Sequence, residues 1–92
     1  MYYYVYLLES LKDKSWYIGF TINLKRRLTE HNLQKSKATK PKIPYRLIYC
    51  EVYRDKRDAK GREKFLKSGS GRKFLRRQIK NYLQEKHFVT QV

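Results

Sequence analysis

Two aromatic and β-branched runs near the start of the chain, separated by a short polar segment, most constrain what it can fold into. YYYVYLL occupies residues 2–8, and WYIGF occupies residues 16–20. Residues of these types favour extended strands, and the first run is apolar on both of its alternating faces. The intervening SLKDKS, residues 10–15, has the polar composition of a turn. The pattern therefore predicts a β-hairpin.

The rest of the chain divides into helical and extended segments at capping and turn residues. Asn23 suits the N-cap of a first helix, and Asp55 suits the N-cap of a second. SGSG, residues 68–71, should end the second helix because it breaks the helical pattern. The elements predicted after the hairpin are a helix from Leu24 to about Asn32, a lysine-rich loop at residues 33–44, a strand from Tyr45 to Tyr53, a helix to about Lys67 and a helix from Arg72 to about Gln84.

This ββαβαα order predicts an α/β protein of the α+β kind, with a small, three-stranded, mainly antiparallel sheet flanked by helices. A chain of 92 residues has room for one domain with a thin hydrophobic core. We place that domain at residues 1–85 and a short C-terminal tail at residues 86–92. Cys50 is the one cysteine, and the sequence shows neither a leader-like start nor an apolar run long enough for a membrane span. These features predict a cytoplasmic monomer that binds no membrane.

The charge of the chain indicates a polyanionic partner. Lysine and arginine number 23 against 8 aspartates and glutamates, which gives a formal net charge of +15. Such a surface attracts nucleic acid, whereas an anionic membrane would require a strongly amphipathic basic helix, and a generally solvated basic surface is the alternative. The residues that we place in contact with nucleic acid are Lys35, Lys37, Lys40, Lys42, Arg26 and Arg72.

Side chains alternate between the two faces of each hairpin strand, and this alternation places tyrosines on the same face as a glycine. Tyr6 shares one face with the other even-numbered residues of its strand, and Tyr17 shares one face of the second strand with Gly19. Trp16 and Ile18 take the opposite, core-forming face. Because Gly19 lacks a side chain, another group can approach it closely. Half-buried tyrosines with their hydroxyls in water are the alternative interpretation.

Helix geometry separates two neighbouring arginines. At about 100° per residue, His31 lies within ~20° of Leu24, Arg27 lies ~60° to one side, and Arg26 points ~160° away. Arg27 and His31 are one turn apart and could converge on a single anion beside the tyrosines. An ordinary histidine at a helix edge is the alternative for His31.

Glu63 is the acidic residue that surface solvation explains least. Ala59, Glu63 and Leu66 follow an i, i+4, i+7 pattern, which puts a carboxylate into a stripe that should be apolar. A carboxylate at a packed face can hold a hard divalent cation, and a salt bridge to a neighbouring cation is the alternative. Glu51 lies within a strand and is also unassigned, whereas Glu9 falls at a strand end.

Four segments together carry a resemblance to a known family. They are YVY at residues 4–6, YIG at residues 17–19, NLKRRLTEHN at residues 23–32 and REKFLKSGSGRKFL at residues 62–75. This combination spans nearly the whole chain and resembles small single-domain members of the GIY-YIG nuclease superfamily, such as the UPF0213 proteins, and the excinuclease N-terminal domain. The ββαβαα order agrees with that family's fold. Tyr4 stands where the first motif of the family name has its glycine.

The resemblance implies metal-dependent hydrolysis of phosphodiester bonds, with DNA favoured over RNA, in repair or recombination. It implies that Glu63 binds a single Mg²⁺ or Mn²⁺ ion. Tyr6 would be the general base or the residue that positions water, and Tyr17 would support it. Arg27 would stabilise charge on the phosphate, and His31 would assist the proton or phosphate network.

Two other functions explain part of the sequence. A non-catalytic nucleic-acid-binding module with the same fold would account for the charge, but it would not require the five residues to which the resemblance gives catalytic roles. A structural, ribosome-associated protein would also account for the charge, but it would not explain Glu63. Asn81, on the last predicted helix, is left outside the predicted site.

Overall fold

The elements of the fold follow one another in the order ββαβαα. A computed structural model describes residues 1–33, 36, 37 and 39–84. Their order confirms the predicted α+β class, and a single turn of 3₁₀ helix, Lys40–Lys42, lies within the segment predicted as a loop. The strands are β1 (Tyr3–Ser10), β2 (Trp16–Thr21) and β3 (Tyr45–Tyr53), and the helices are α1 (Leu24–Asn32), α2 (Lys56–Leu66) and α3 (Gly69–Gln78).

The sheet has the strand order β2-β1-β3, and both pairings are antiparallel. β1 is therefore the central strand, which agrees with its apolar residues on both faces. Tyr6 lies opposite Gly19 on one side and opposite Cys50 on the other. Leu8 lies opposite Tyr17, so the predicted grouping of tyrosines and glycine on one face of the hairpin is confirmed.

The other face of the sheet carries the hydrophobic core. Val5, Leu7 and Ile18 of the hairpin are buried against α2 and α3. The two helices contribute Ala59, Leu66 and Leu75 to this cluster. Burial of these side chains is the main source of stability for so small a sheet.

Side-chain caps confirm the predicted starts of the first two helices. The Asn23 side chain accepts a hydrogen bond from the backbone nitrogen of Arg26 at 3.0 Å, and Asp55 accepts one from the backbone nitrogen of Arg57 at 2.8 Å. These oxygens pair with amide groups that have no partner within the helix. No helix in the described residues is long and apolar enough to cross a membrane.

The prediction for the start of the last helix was wrong. α3 begins at Gly69 rather than Arg72, because the Ser68 side chain accepts a hydrogen bond from the backbone nitrogen of Gly71 and acts as an N-cap. Gly71 also permits the close crossing of α2, since a Cβ atom there would overlap the carbonyl oxygen of Phe65. The SGSG segment therefore starts a helix as well as ending one, and residues 80–84 continue in helical conformation after Ile79.

Glu51 has a structural role on the core face of the sheet. Arg62 of α2 donates to both of its carboxylate oxygens, at 2.8 and 3.0 Å. The hydroxyls of Tyr49 and Tyr53 each donate to the same carboxylate at 2.5 Å. Burial raises the pKa of Glu51, but its hydrogen bonds outweigh that effect and hold the pKa below its usual range. This network attaches α2 to β3.

Candidate active site

Tyr6 lies at the centre of a polar cluster on the sheet face opposite the core. Its side chain is almost fully buried, and its ring passes directly over Gly19 on the neighbouring strand. A Cβ atom at Gly19 would overlap the phenol oxygen, so the absent side chain makes room for Tyr6 itself. The close approach predicted at this glycine is therefore made by a tyrosine of the same chain.

α1 places His31 against this tyrosine. The Nε2 atom of His31 lies 2.9 Å from the Tyr6 hydroxyl oxygen, and the imidazole is fully buried. The Tyr17 ring packs edge-on against the imidazole, with ring centroids 5.0 Å apart. The end of the helix is held to β3 because Asn32 bonds both the backbone nitrogen and the carbonyl oxygen of Tyr45, at 2.7 and 3.0 Å. His31 is thus a buried residue of the cluster and not an exposed residue at a helix edge.

Thr39 completes the set of polar contacts around His31. Its hydroxyl oxygen lies 2.8 Å from the Nδ1 atom of His31, and the side chain is fully buried. This residue was not predicted from the sequence, since a threonine in a lysine-rich loop carries no local signal of burial. Both imidazole nitrogens therefore have partners from other parts of the chain, which sets the orientation of the ring.

Arg27 faces the cluster, whereas Arg26 faces solvent. The Arg27 side chain is 31% exposed and lies 3.2 Å from Glu30, while the Arg26 side chain is 63% exposed and lies 4.0 Å from the same carboxylate. The positive charge of Arg27 also acts on Tyr6, where it lowers the pKa of the phenol. This arrangement agrees with the angular positions that helix geometry predicts for the two residues.

Burial controls the protonation of the two central groups. Desolvation raises the pKa of Tyr6 to about 12, although the neighbouring Arg27 opposes this increase. Desolvation, together with the positive charge of Arg27, lowers the pKa of His31 to about 4. Near neutral pH both groups are therefore uncharged: the phenol keeps its proton, and the imidazole has one protonated and one bare nitrogen.

Glu63 lies on α2 within electrostatic range of Tyr6. Its negative charge is among the effects that raise the pKa of the phenol. The side chain is only 14% exposed, and its two carboxylate oxygens pair with Lys60 at 3.5 Å and with Lys67 at 3.0 Å. Both the predicted position at a packed face and the alternative of a salt bridge therefore hold for this residue.

The residues predicted to contact nucleic acid do not all lie together. Lys37 and Lys40 are exposed on the segment between α1 and β3, and Lys42 pairs with Asp13 at 3.1 Å. Lys35 lies outside the described residues. Arg72 is on α3, where it lines a cleft with Lys42, Arg76 and Trp16. This cleft is on the opposite face of the sheet from Tyr6, so Arg72 is not part of the tyrosine cluster.

Glu9 is a buried acidic residue that the sequence pattern places at a strand end and turn. The residue is 1% exposed and lines the same cleft. It accepts hydrogen bonds from the indole nitrogen of Trp16 at 3.4 Å and from the hydroxyl of Tyr82 at 2.9 Å. β1 extends to Ser10, two residues further than predicted, and this extension carries Glu9 into the interior. The Tyr82 contact is the part that no local pattern could have indicated.

Comparisons with known proteins agree with this architecture. The GIY-YIG catalytic domain family matches residues 2–86. A UPF0213 protein of Streptococcus pneumoniae is 42% identical over 65 residues, which are 70% of this chain and 65% of that protein. A UPF0213 protein of Bacillus licheniformis is 36% identical over 85 residues, covering 91% of this chain and 81% of the relative. The solution NMR structure of a UPF0213 protein of Bacillus halodurans is similar with a TM-score of 0.55, 34% identity and 86% coverage of both chains. The chain belongs to the GIY-YIG family.

Proposed function

We propose that the chain is a metal-dependent nuclease that hydrolyses phosphodiester bonds, acting on DNA in preference to RNA. The observation that carries this proposal is the buried Tyr6–His31 pair, 2.9 Å apart, on which the charges of Arg27 and Glu63 both act through Tyr6. A phosphodiester needs its developing charge neutralised while a water molecule is aligned for attack. Membership of the GIY-YIG family supports the same class of reaction.

Arg27 is proposed to bind the scissile phosphate. Its guanidinium group is partly exposed, next to the buried phenol, so a phosphate can reach it without opening the core. A planar group with several donors can contact two phosphate oxygens at once. Charge that builds up on those oxygens in the transition state is then stabilised by a donor already in place.

Tyr6 is proposed to position the attacking water as a neutral phenol. With its pKa raised to about 12, the free protein carries very little phenolate near pH 7. This favours the water-positioning role over the general-base role that the sequence left open. The phenol oxygen can still accept a hydrogen bond from water while its own proton is held by a neighbour. Tyr17 supports the arrangement by packing against the imidazole of His31.

Glu63 is proposed to hold one Mg²⁺ or Mn²⁺ ion. Among the described residues no group of three or more His, Cys, Asp and Glu side chains gathers that could hold a metal. A single carboxylate nevertheless fits Mg²⁺, which commonly takes one or two carboxylates and fills its other positions with water and substrate phosphate. Lys60 and Lys67 show that this carboxylate already attracts positive charge from two sides. When bound, the ion would supply a Lewis acid that stabilises charge on the phosphate oxygens.

A binding module without turnover is the second candidate function. The observation that favours it is the pairing of Glu63 with Lys60 and Lys67, since a carboxylate with two cationic partners can serve stability alone. Such a module would use the same basic surface, with Arg27 as an anchoring contact. A cytoplasmic role in repair or recombination is part of the nuclease proposal and not of this one.

A cleavage assay with matched variants distinguishes the two functions. Labelled single-stranded, duplex and branched DNA and RNA would be incubated with the protein and Mg²⁺, Mn²⁺ or EDTA. We expect cleavage that EDTA stops and that Glu63→Gln abolishes, while binding of the same substrates persists. Asp58→Asn is the matched control, because it neutralises an exposed acid on the same helix and should leave cleavage unchanged. Full activity in EDTA, or equal rates for wild type and Glu63→Gln, would contradict the nuclease proposal.

A further inference from the structure

Two hydroxyl groups, one from Tyr6 and one from Thr39, contact the two ring nitrogens of His31. The Tyr6 hydroxyl lies 2.9 Å from Nε2, and the Thr39 hydroxyl lies 2.8 Å from Nδ1. A neutral imidazole carries its single proton on one nitrogen and accepts a hydrogen bond at the other. The two hydroxyls could satisfy either tautomer, because each can donate or accept. The choice of tautomer therefore depends on what else contacts the phenol.

The phenol of Tyr6 decides that choice. Among the described residues, the hydrogen-bond partner of its hydroxyl is Nε2 of His31, at 2.9 Å, and the positive charge of Arg27 favours a phenol whose proton points away from the guanidinium group. The phenol proton is buried with its oxygen and needs an acceptor. Nε2 of His31 is in position to accept it. The imidazole proton must then be on Nδ1, where it is donated to the hydroxyl of Thr39.

The position of Thr39 is set by several contacts of its backbone. Its carbonyl oxygen accepts a hydrogen bond from the backbone nitrogen of Lys42 at 3.0 Å, and its own nitrogen donates to the carbonyl of Ser36 at 3.3 Å. The Ser10 hydroxyl in turn donates to the carbonyl oxygen of Lys42 at 2.6 Å. The 3₁₀ turn is thereby tied to the end of β1, and the Thr39 hydroxyl is presented to His31 by ordered backbone.

We propose that Thr39 is a positioning residue, whose hydroxyl holds His31 in the Nδ1-protonated tautomer and so makes the Tyr6 phenol donate its proton inward. The phenol oxygen is then left with its accepting side free for the attacking water. Thr39 acts only through His31 and contacts no reacting atom. The inference rests on the proposed nuclease function for its catalytic consequence, but the tautomer itself is a property of the free protein.

Charged and titratable groups face His31 from every element packed around it. Tyr6 comes from β1, Tyr17 from β2 and Tyr45 from β3, each within 6.4 Å of the imidazole centroid. On α1 itself, the positive charge of Arg27 opposes protonation of the imidazole, and the negative charge of Glu30 favours it. Burial raises the pKa of Tyr6 and the pKa of Tyr45, so these two phenols carry no charge near neutral pH.

The tautomer can be measured directly by NMR on the ring nitrogens of His31. In the wild-type protein near pH 7 we expect protonated Nδ1 and bare Nε2. Thr39→Val keeps the side-chain shape but removes the acceptor, so the imidazole should shift towards the Nε2-protonated form. The Nε2 proton would then be donated to Tyr6, which stabilises the phenolate and lowers the pKa of this phenol below its wild-type value. Thr39→Ser retains the hydroxyl and should restore the wild-type pattern.

Activity supplies the catalytic readout. We expect Thr39→Val to lower kcat by about 10- to 100-fold, as loss of a partner that orients a functional histidine typically does. Substrate affinity should change little, and Thr39→Ser should recover most of the rate. Thr29→Val is the control, because it makes the same substitution at an exposed position of α1 and should leave the rate unchanged.

Each outcome decides a separate claim. Protonated Nε2 in the wild-type protein would overturn the inference, and this measurement requires no variant to fold. An unchanged tautomer and an unchanged Tyr6 pKa in Thr39→Val would also overturn it. A shifted tautomer with an unchanged cleavage rate would contradict the positioning role. If the wild type cleaves no nucleic acid while the ring nitrogens behave as expected, the proposed function fails and the assignment of Thr39 to His31 stands.

Discussion

Arg26 and Arg27 show how far the role of a single residue depends on its direction. The two are adjacent and carry the same charge, but one turns towards Tyr6 and the other towards solvent. An exposed arginine adds to a diffuse attraction for phosphate, whereas one held beside a buried phenol can meet a particular phosphate. Because the two residues carry the same charge, their roles must be distinguished by the cleavage kinetics of variants.

Arg27→Ala is expected to lower kcat by ~10² or more, comparable to the loss of one preorganised donor. Arg27→Lys should rescue poorly, because an ammonium group cannot reproduce a planar, two-pronged contact. Arg26→Ala is the matched control and should mainly weaken salt-sensitive binding. The measurement is single-turnover cleavage of a saturating substrate by the three variants. Similar rates for Arg26→Ala and Arg27→Ala would show that Arg27 has no special position in the site.

At the scale of elements, the segment between α1 and β3 joins two features of the molecule. Its exposed side carries Lys37 and Lys40, and its buried side carries Thr39. Contacts of Ser10 with Lys42 and of Lys12 with Pro41 attach it to the hairpin. The lysines that we propose to contact nucleic acid are therefore on the same segment that supports His31.

Replacement of the four lysines of this segment tests its role in binding. The quadruple change of Lys35, Lys37, Lys40 and Lys42 to Ala should weaken binding to all sequences alike, since phosphate contacts carry no base information. The salt dependence of the binding constant should become flatter, by at most about four phosphate contacts. Of the four lysines, Lys42 should contribute least to the loss of binding, because Asp13 already pairs with it.

The control for this experiment removes the same charge elsewhere. Lys56, Lys64, Lys73 and Lys80 are exposed lysines on or after the last two helices, and their quadruple change to Ala leaves the segment intact. We expect a smaller change of salt slope in this control. Equal slopes for the two quadruple variants would indicate that the positive charge acts only through the net charge of +15.

At the scale of the whole molecule, a thin fold encloses a polar cluster along with its hydrophobic core. The sheet has α2 and α3 on its hydrophobic face, and His31 of α1 meets Tyr6 on the other. His31 and Thr39 are as fully buried as the leucines of the core. Protonation of this imidazole is therefore coupled to the stability of the entire fold.

The free energy of unfolding should decrease as the pH falls from 7 to 5. In the unfolded chain His31 has an ordinary pKa near 6.5, whereas burial lowers it to about 4 in the folded protein. Between these values the unfolded state binds more protons, so acid favours it, by about 2 kcal/mol over this range. Urea unfolding at a series of pH values measures the effect.

His31→Gln is the comparison for this pH series, because it removes the titrating group. Between pH 7 and pH 5, the free energy of unfolding of the variant should lack the decrease that titration of His31 causes in the wild type. If the free energy of unfolding depended on pH in the same way for wild type and variant, protonation of His31 would not destabilise the folded protein. This result would also contradict the assignment of His31 as a buried neutral imidazole.

The sequence by itself determined the order of the elements and the faces of the hairpin and of α1. These depend on alternation in strands, on about 100° per residue in helices and on capping side chains, all of which act over a few residues. The caps at Asn23 and Asp55 and the different directions of Arg26 and Arg27 were accessible in this way. The family resemblance added roles for the residues of the candidate site, and those roles stay proposals.

Only the tertiary structure decided which residues complete the polar clusters. Glu9 is buried because Tyr82, 73 positions later, reaches its carboxylate, and Thr39 is buried because the chain returns to His31. Ser68 could have ended a helix or started one, and the close crossing of α2 and α3 at Gly71 favours the start that is observed. Such contacts join residues whose separation in the sequence carries no periodic signal. They are selected by the packing of whole elements, because a buried polar group must find its partner wherever the fold places one.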